Sequence, residues 1–142
     1  MIEEAIHRVL SADSDVTTGL ATYVFTTGGL PLPAIFTMEN PPKNAVLPAV
    51  CIHGPIGGAR WGTREKKGAE VLVDVSLWGD KSRSTLALGS LAWRIWEALE
   101  RAELQILGYE EVGCMATPPR ALRDPDGFPG YQVEVRVRIL QT

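Results

Sequence analysis

The chain has 142 residues, of which 45% are hydrophobic and 22% charged, with a net charge of −3 and two cysteines. This composition predicts one soluble globular domain over residues 1–142, and it argues against a disulfide scaffold or a surface devoted to nucleic acid. No apolar run approaches the ~20 residues of a membrane helix, and the N-terminus lacks the pattern of a signal peptide, so we expect a cytoplasmic product without membrane contact.

The N-terminal half predicts short elements. Hydrophobic residues recur at helical spacing over residues 2–10, which indicates a first helix. Residues 17–27 are ambiguous, and residues 22–26 within them could form a strand. Residues 34–38 lie between prolines, as is typical of an edge strand, and residues 47–53 form the next predicted strand.

Residues 70–107 carry the strongest pattern, a strand followed directly by the longest helix. Period-two alternation over residues 70–78 places one apolar set on a single sheet face: Val71, Val73, Val75 and Leu77. After an N-cap at Ser82 or Ser84, apolar residues recur at helical spacing from Leu88 to Ala102. A one-sided strand and a one-sided helix, joined by a short turn, are expected to bury each other.

Two more strands are predicted after this helix. The first covers residues 112–122 and is interrupted by Pro118 and Pro119. The second covers residues 131–140, where apolar and charged residues alternate most regularly. The order of elements therefore predicts an α+β fold, a mostly antiparallel sheet of about four to five strands with about two helices packed on one face.

No motif nominates a catalytic, cofactor or metal site. Cys51 and His53 project to one side of a strand, and Cys114 and His7 would be needed to complete a zinc site, but the paired spacing typical of such sites is absent. The Gly-rich segment 54–62 lacks the Gly-Lys-Ser/Thr that opens a helix in a phosphate loop, so a hairpin loop is favoured. We therefore predict no catalytic residue, cofactor or metal.

A basic cluster is the first feature that indicates a partner. Arg60, Arg64, Lys66 and Lys67 lie close together in an otherwise acidic chain, with Trp61 among them. Such a cluster is a local positive patch. A solvated hairpin tip and a contact with another subunit, a partner or a channel both remain open for these five residues.

The tryptophans are the second such feature. Trp93 and Trp96 lie on the predicted helix beside its apolar stripe. Tryptophan is enriched at the centres of interfaces, and one-sided burial accommodates two such side chains poorly. Core packing and an interface with another copy or a partner both remain open.

The order of elements resembles the tail-completion, or tail-terminator, proteins of long-tailed bacteriophages and prophage-derived particles. The resemblance rests on a series that spans nearly the whole chain. An N-terminal helix precedes a Leu-Pro-Ala-Val strand at residues 47–50 and a Gly-rich hairpin. A strand ending at Trp78 then leads to a helix with its core at residues 91–99, and an Arg-Asp-Pro-Asp-Gly turn at residues 123–127 leads to the last strand.

The resemblance implies a structural role without catalysis. Such proteins assemble as a ring, usually six-fold, that ends growth of the tail tube and forms the joint to the head connector. The implied partners are other copies, the major tail tube protein, the head–tail connector and DNA passing through the ring. The implied location is the virion tail, after assembly in the host bacterial cytoplasm.

Two alternatives to a terminator remain open. One is a head–tail connector or neck protein of the same particle, and the other is a small phosphate- or nucleotide-binding enzyme that uses residues 54–67. By analogy with the family, the loop from Arg60 to Lys67 would reach a neighbouring subunit or the central channel.

Overall fold

A computed structural model describes residues 2–62, 67–81 and 85–141. Over these residues the chain forms three helices and eight strands. The helices are α1 (Ile2–Ala12), α2 (Ser14–Thr17) and α3 (Thr85–Leu99). The strands are β1 (Thr22–Tyr23), β2 (Leu32–Pro33), β3 (Ile35–Phe36), β4 (Ala49–Gly62), β5 (Lys67–Trp78), β6 (Tyr109–Ala116), β7 (Arg120–Arg123) and β8 (Pro129–Gln141). The N-cap predicted at Ser82 or Ser84 lies outside the described residues.

Six of the described strands form one sheet with the order β3-β4-β5-β8-β6, and β7 pairs with β8 on the same edge as β6. Strands β3 and β4 are parallel, and the other pairs are antiparallel. Strands β1 and β2 form a separate antiparallel pair. The prediction of a mostly antiparallel sheet is confirmed, whereas the described part contains more strands and helices than predicted.

One of the extra strands arises where two prolines divide one predicted strand into β6 and β7. Thr117 still pairs with β8, because its backbone N donates to the Glu134 carbonyl at 2.9 Å and the Glu134 N donates to Thr117 Oγ1 at 3.1 Å. Pro118 and Pro119 have no N–H to donate, so pairing stops and resumes at Arg120. The predicted interruption at these prolines is confirmed.

The main core lies between one face of the sheet and helices α1 and α3. The sheet contributes buried residues at period two from β5 and β8: Val73, Val75, Leu77, Val133, Val135, Val137 and Ile139. The helices contribute residues at helical spacing: Ile2, Ala5, Ile6, Leu10, Leu88, Leu91, Ala92, Ile95 and Leu99. The predicted mutual burial of strand 70–78 and the long helix is therefore confirmed.

A smaller cluster lies on the opposite face, at the end of the sheet that carries β3. Its buried members are Ala34, Phe36, Ala49 and Cys51, and Tyr23, Leu47 and Trp78 pack against it. This cluster attaches the N-terminal connecting segments to the sheet. Within the three described ranges, no helix has both the length and the apolar character needed to cross a membrane.

The C-terminal end of α3 covers part of the outer edge of β6. Trp96 Nε1 donates to the Ala116 carbonyl at 3.0 Å, and the Ala116 N donates to Glu100 Oε2 at 3.1 Å. The Arg101 N donates to the Cys114 carbonyl at 3.0 Å. These bonds satisfy backbone groups that an edge strand would otherwise leave open to another chain. Trp96 therefore has a structural role in closing this edge.

Substituting Leu99, which is fully buried at 0% exposure, tests the assignment of the core. We expect Leu99→Ala to lower the free energy of unfolding by about 2–5 kcal/mol, because it leaves a cavity in the main core. Leu107→Ala is the control, since that side chain is 96% exposed, and its effect should stay within about 0.5 kcal/mol. Urea unfolding followed by circular dichroism measures both, and equal losses would contradict the assignment.

Candidate assembly surface

Strands β4 and β5 form a long hairpin that extends beyond the core, so the prediction of a loop at residues 54–62 is wrong and these residues belong to β4. Their register runs from Ala49 opposite Trp78 at the base to Gly62 opposite Lys67 at the far end, with an irregularity between His53 and Gly57. Residues 55–60 are all exposed, whereas the base of the hairpin lies in the two buried clusters. The far half of the hairpin is thus available for contact with another molecule.

The structure describes three of the five residues predicted to make that contact. Arg60 pairs with Ala69 across the hairpin, and Lys67 pairs with Gly62. Both side chains are exposed at the far end. The backbone of Trp61 lies beside them, opposite Gly68. Arg64 and Lys66 lie outside the described residues, so a shared contact of the five remains a prediction.

A glycine permits close approach of the two strands in the far half. Gly58 has a φ of +153°, and a Cβ built there would lie 2.2 Å from the Glu70 carbonyl oxygen. Any other residue would have to push β4 and β5 apart. Gly57 is a different case, because a Cβ there would meet only the flexible end of Leu72 at 3.5 Å.

A polar network crosses the sheet face opposite the main core. Arg120 Nη2 donates to Gln132 Oε1 at 2.6 Å, and Gln132 Nε2 donates to Asp74 Oδ1, which connects β7, β8 and β5. Glu70 on β5 lies between two arginines of β8, with its carboxylate oxygens 3.4 Å from Arg136 Nε and 3.7 Å from Arg138 Nε.

This network brings opposite charges together on the sheet face. The arginine side chains at Glu70 are 52% and 49% exposed, so each ion pair stabilises the fold by roughly 0–1 kcal/mol after solvent screening. The register of β5 against β8 is set mainly by their buried alternating residues, and the ion pairs add little to it. The result is a hydrated face with paired charges, unlike the converging groups of a catalytic site.

The residues considered for a zinc site do not converge. Cys51 lies in the smaller cluster and Cys114 in the main core, which are on opposite faces of the sheet. Burial raises the pKa of the Cys51 thiol to about 12, so at neutral pH it stays protonated and is a poor nucleophile and metal ligand. Across the described ranges, no group of three His, Cys, Asp or Glu side chains is placed to hold a metal ion.

Two clefts lie near the base of the hairpin. One, of about 440 Å³, is formed by the segment 40–47, Trp78 and the turn at Asp124, Asp126 and Phe128. The other, of about 290 Å³, lies beside α3 and contains Asp80 and Arg94. Neither cleft is lined by a histidine or a cysteine, so neither offers a nucleophile with an adjacent imidazole base.

The sheet packs one face against the helices, carries the polar network and the smaller cluster on the other face, and extends into a long exposed hairpin. The family model for "Tail completion protein gp17" matches residues 4–142, so the chain belongs to this family of phage tail completion proteins. The protein is therefore a structural virion tail protein, not an enzyme, and it assembles with other proteins of a phage particle. The family resemblance inferred from the sequence is confirmed.

A solved structure supports the same architecture. A chain in the "Virion of native gene transfer agent (GTA) particle" superposes with a TM-score of 0.74 at 20% sequence identity, covering 98% of this chain and 94% of that one. At this identity the likeness shows a shared fold. No curated protein matches the sequence.

Sequence reasoning missed the polar network. The alternation in residues 131–140 placed Gln132, Arg136 and Arg138 on the outward face, but it did not identify Asp74 and Glu70 as their partners. The missing information is the register of β5 against β8, which depends on long-range pairing. The alternating charges on both strands were the available signal.

Substitution of two adjacent glycines tests the geometry of the hairpin. We expect Gly58→Ala to lower the free energy of unfolding by about 2 kcal/mol or more, because its Cβ meets a backbone oxygen at a strained φ. Gly57→Ala should change it by less than about 1 kcal/mol. Chemical denaturation measures both variants. A loss at Gly57 as large as that at Gly58 would contradict the described approach of the strands.

Proposed function

We propose that this protein is the tail terminator of its particle. Copies form a ring on the last ring of the tail tube, end tube growth and provide the joint to the head connector. The observation that carries this proposal is the family match over residues 4–142, which leaves almost no part of the chain outside a tail-completion domain. The fold adds support, because a preformed sheet with an exposed hairpin suits docking more than chemistry.

The ring is proposed to be six-fold and to close through a head-to-tail interface. Such an interface uses two different surfaces of each subunit, and rotation by a constant angle returns to the first copy. Symmetric two-fold contacts join copies only in pairs and so cannot by themselves close such a ring. The subunit must therefore carry two complementary surfaces at different positions.

The far end of the β4–β5 hairpin is proposed to contact the neighbouring subunit or to line the channel. Arg60 and Lys67 are exposed there, and Trp61, Arg64 and Lys66 are close in sequence. These basic residues stand out in a chain of net charge −3. A positive segment of this kind attracts an acidic protein surface or DNA passing through the ring.

Binding to tube ends tests the proposed function. Purified protein mixed with tail tubes from the same particle should appear by electron microscopy at one tube end, and it should stop further elongation by added tube subunits. Binding to isolated connectors but not to tubes would instead favour a neck protein. A chain that remains monomeric and binds neither would overturn the proposal.

The same assay tests the hairpin with a double variant that reverses two of its charges. Arg60→Glu with Lys67→Glu should weaken end binding by roughly tenfold or more, since both charges lie at the proposed contact. Arg8→Glu with Lys43→Glu is the matched control, because it changes the net charge equally at exposed residues outside the hairpin. If both double variants bind tube ends equally well, the hairpin is not part of the contact, and the proposal that the protein caps tube ends is unaffected.

A further inference from the structure

A first exposed apolar surface lies beside β3. Residues 24–32 are all exposed, and the large apolar members of this surface, the β1–β2 patch, are 44–83% exposed: Val24, Phe25, Leu30 and Leu32. Aromatic packing fixes it to the sheet, since the Phe25 ring lies 5.0 Å from Tyr23 and 5.4 Å from Phe36 of β3, centroid to centroid. This patch is therefore a preformed surface at the β3 end of the strand order.

A second exposed apolar surface lies on α3. Leu86 and Trp93, the α3 patch, are 83% and 49% exposed and are about two turns apart on the side of the helix away from the core. Trp93 packs edge-to-face on Trp96 at 5.3 Å between centroids. Because Trp96 Nε1 donates a hydrogen bond to the Ala116 carbonyl, the Trp93 end of this patch lies beside β6, whereas Leu86 lies in the first turn of α3.

Both patches lie in segments without charged residues. The sequence contains no Asp, Glu, Lys or Arg in residues 16–38, and none in residues 85–93. Exposed surface without charge is unusual for a solvated loop or a helix face, whereas depletion of charge with enrichment of aromatics is typical of interface centres. Phe25 and Trp93 are the natural anchors of the two patches.

The positions of the patches determine how they can be buried. Phe25 packs on β3 and Trp93 lies beside β6, strands at opposite ends of the strand order, and both patches are exposed within one copy. We propose that the β1–β2 patch of one copy packs on the α3 patch of the next copy. This inference rests on the proposed ring, and it supplies the two different surfaces that a closing head-to-tail interface needs.

Two glutamate substitutions and one control test this contact. Leu30→Glu alters only the β1–β2 patch, and Leu86→Glu alters only the α3 patch, where an acid in the first helical turn suits the helix dipole. Leu107→Glu makes the same chemical change at a side chain that is 96% exposed and belongs to neither patch. All three sites are exposed enough that the fold should be retained, which circular dichroism checks.

Sedimentation velocity and native mass spectrometry report the result. Parent protein and Leu107→Glu should form the ring, whereas Leu30→Glu alone and Leu86→Glu alone should need at least roughly tenfold higher concentration to associate. An equimolar mixture of the two variants should form a 1:1 complex of two 15.5 kDa chains and no ring. In that mixture only one pair of unaltered patches can meet.

The other outcomes each decide a different point. If Leu30→Glu alone still pairs through its α3 patch, the contact is two-fold and the inference is wrong. If both variants assemble like the parent, this contact is wrong while end capping by the parent still supports the proposed function. A parent protein that neither assembles nor caps tubes would overturn both.

Discussion

The antiparallel ladder between β5 and β8 aligns the sheet side of the main core and the polar network on the opposite face. It runs from Gly68 opposite Leu140 to Trp78 opposite Gly130. On one face it aligns Val73 and Val75 with the buried valines of β8, against which α1 and α3 pack. Strand β4 pairs on one side of this ladder and strands β6 and β7 on the other. Strands β4, β6 and β7 are therefore positioned by pairing with this ladder, and helices α1 and α3 by packing on its buried face.

The same register positions the polar face. With β5 and β8 aligned as they are, Glu70 lies opposite Arg138 and Asp74 lies close enough to bond Gln132. A slip of one residue would turn every β8 side chain to the other face, burying Arg136 and exposing Val135. Such a state is excluded by the cost of burying an unpaired charge. The alternation of β8 thus specifies both the core and the hydrated face.

Local pattern was sufficient to predict the centre of this fold. Period-two alternation located β5 and β8, helical spacing located α3, and Pro118 with Pro119 located the break between β6 and β7. Contacts between segments that are distant in the sequence could not be predicted from these local patterns. The parallel pairing of β3 with β4, the irregularity near His53 and the covering of β6 by Trp96 all depend on which segments meet in space.

The candidate surfaces also differ in how far the sequence could predict them. Arg60 and Lys67 were identified from their charge, and both are exposed at the far end of the hairpin. What they contact is decided when the protein assembles with other molecules. The sequence left both tryptophans of α3 open between core and interface, and the structure separates them, with Trp96 closing an edge and Trp93 exposed. The β1–β2 patch was not predicted, because residues 22–26 have no periodicity and their exposure is set by packing of Tyr23 on Phe36.

Amide hydrogen exchange, compared between the free subunit and the assembled ring, shows whether the sheet and its docking surfaces are formed before assembly. We expect β5 and β8 amides to exchange slowly and equally in both states, with new protection confined to residues 24–32, residues 85–93 and the far end of the β4–β5 hairpin. Fast exchange of β5 and β8 in the free subunit, with protection gained only in the ring, would mean instead that the fold depends on assembly.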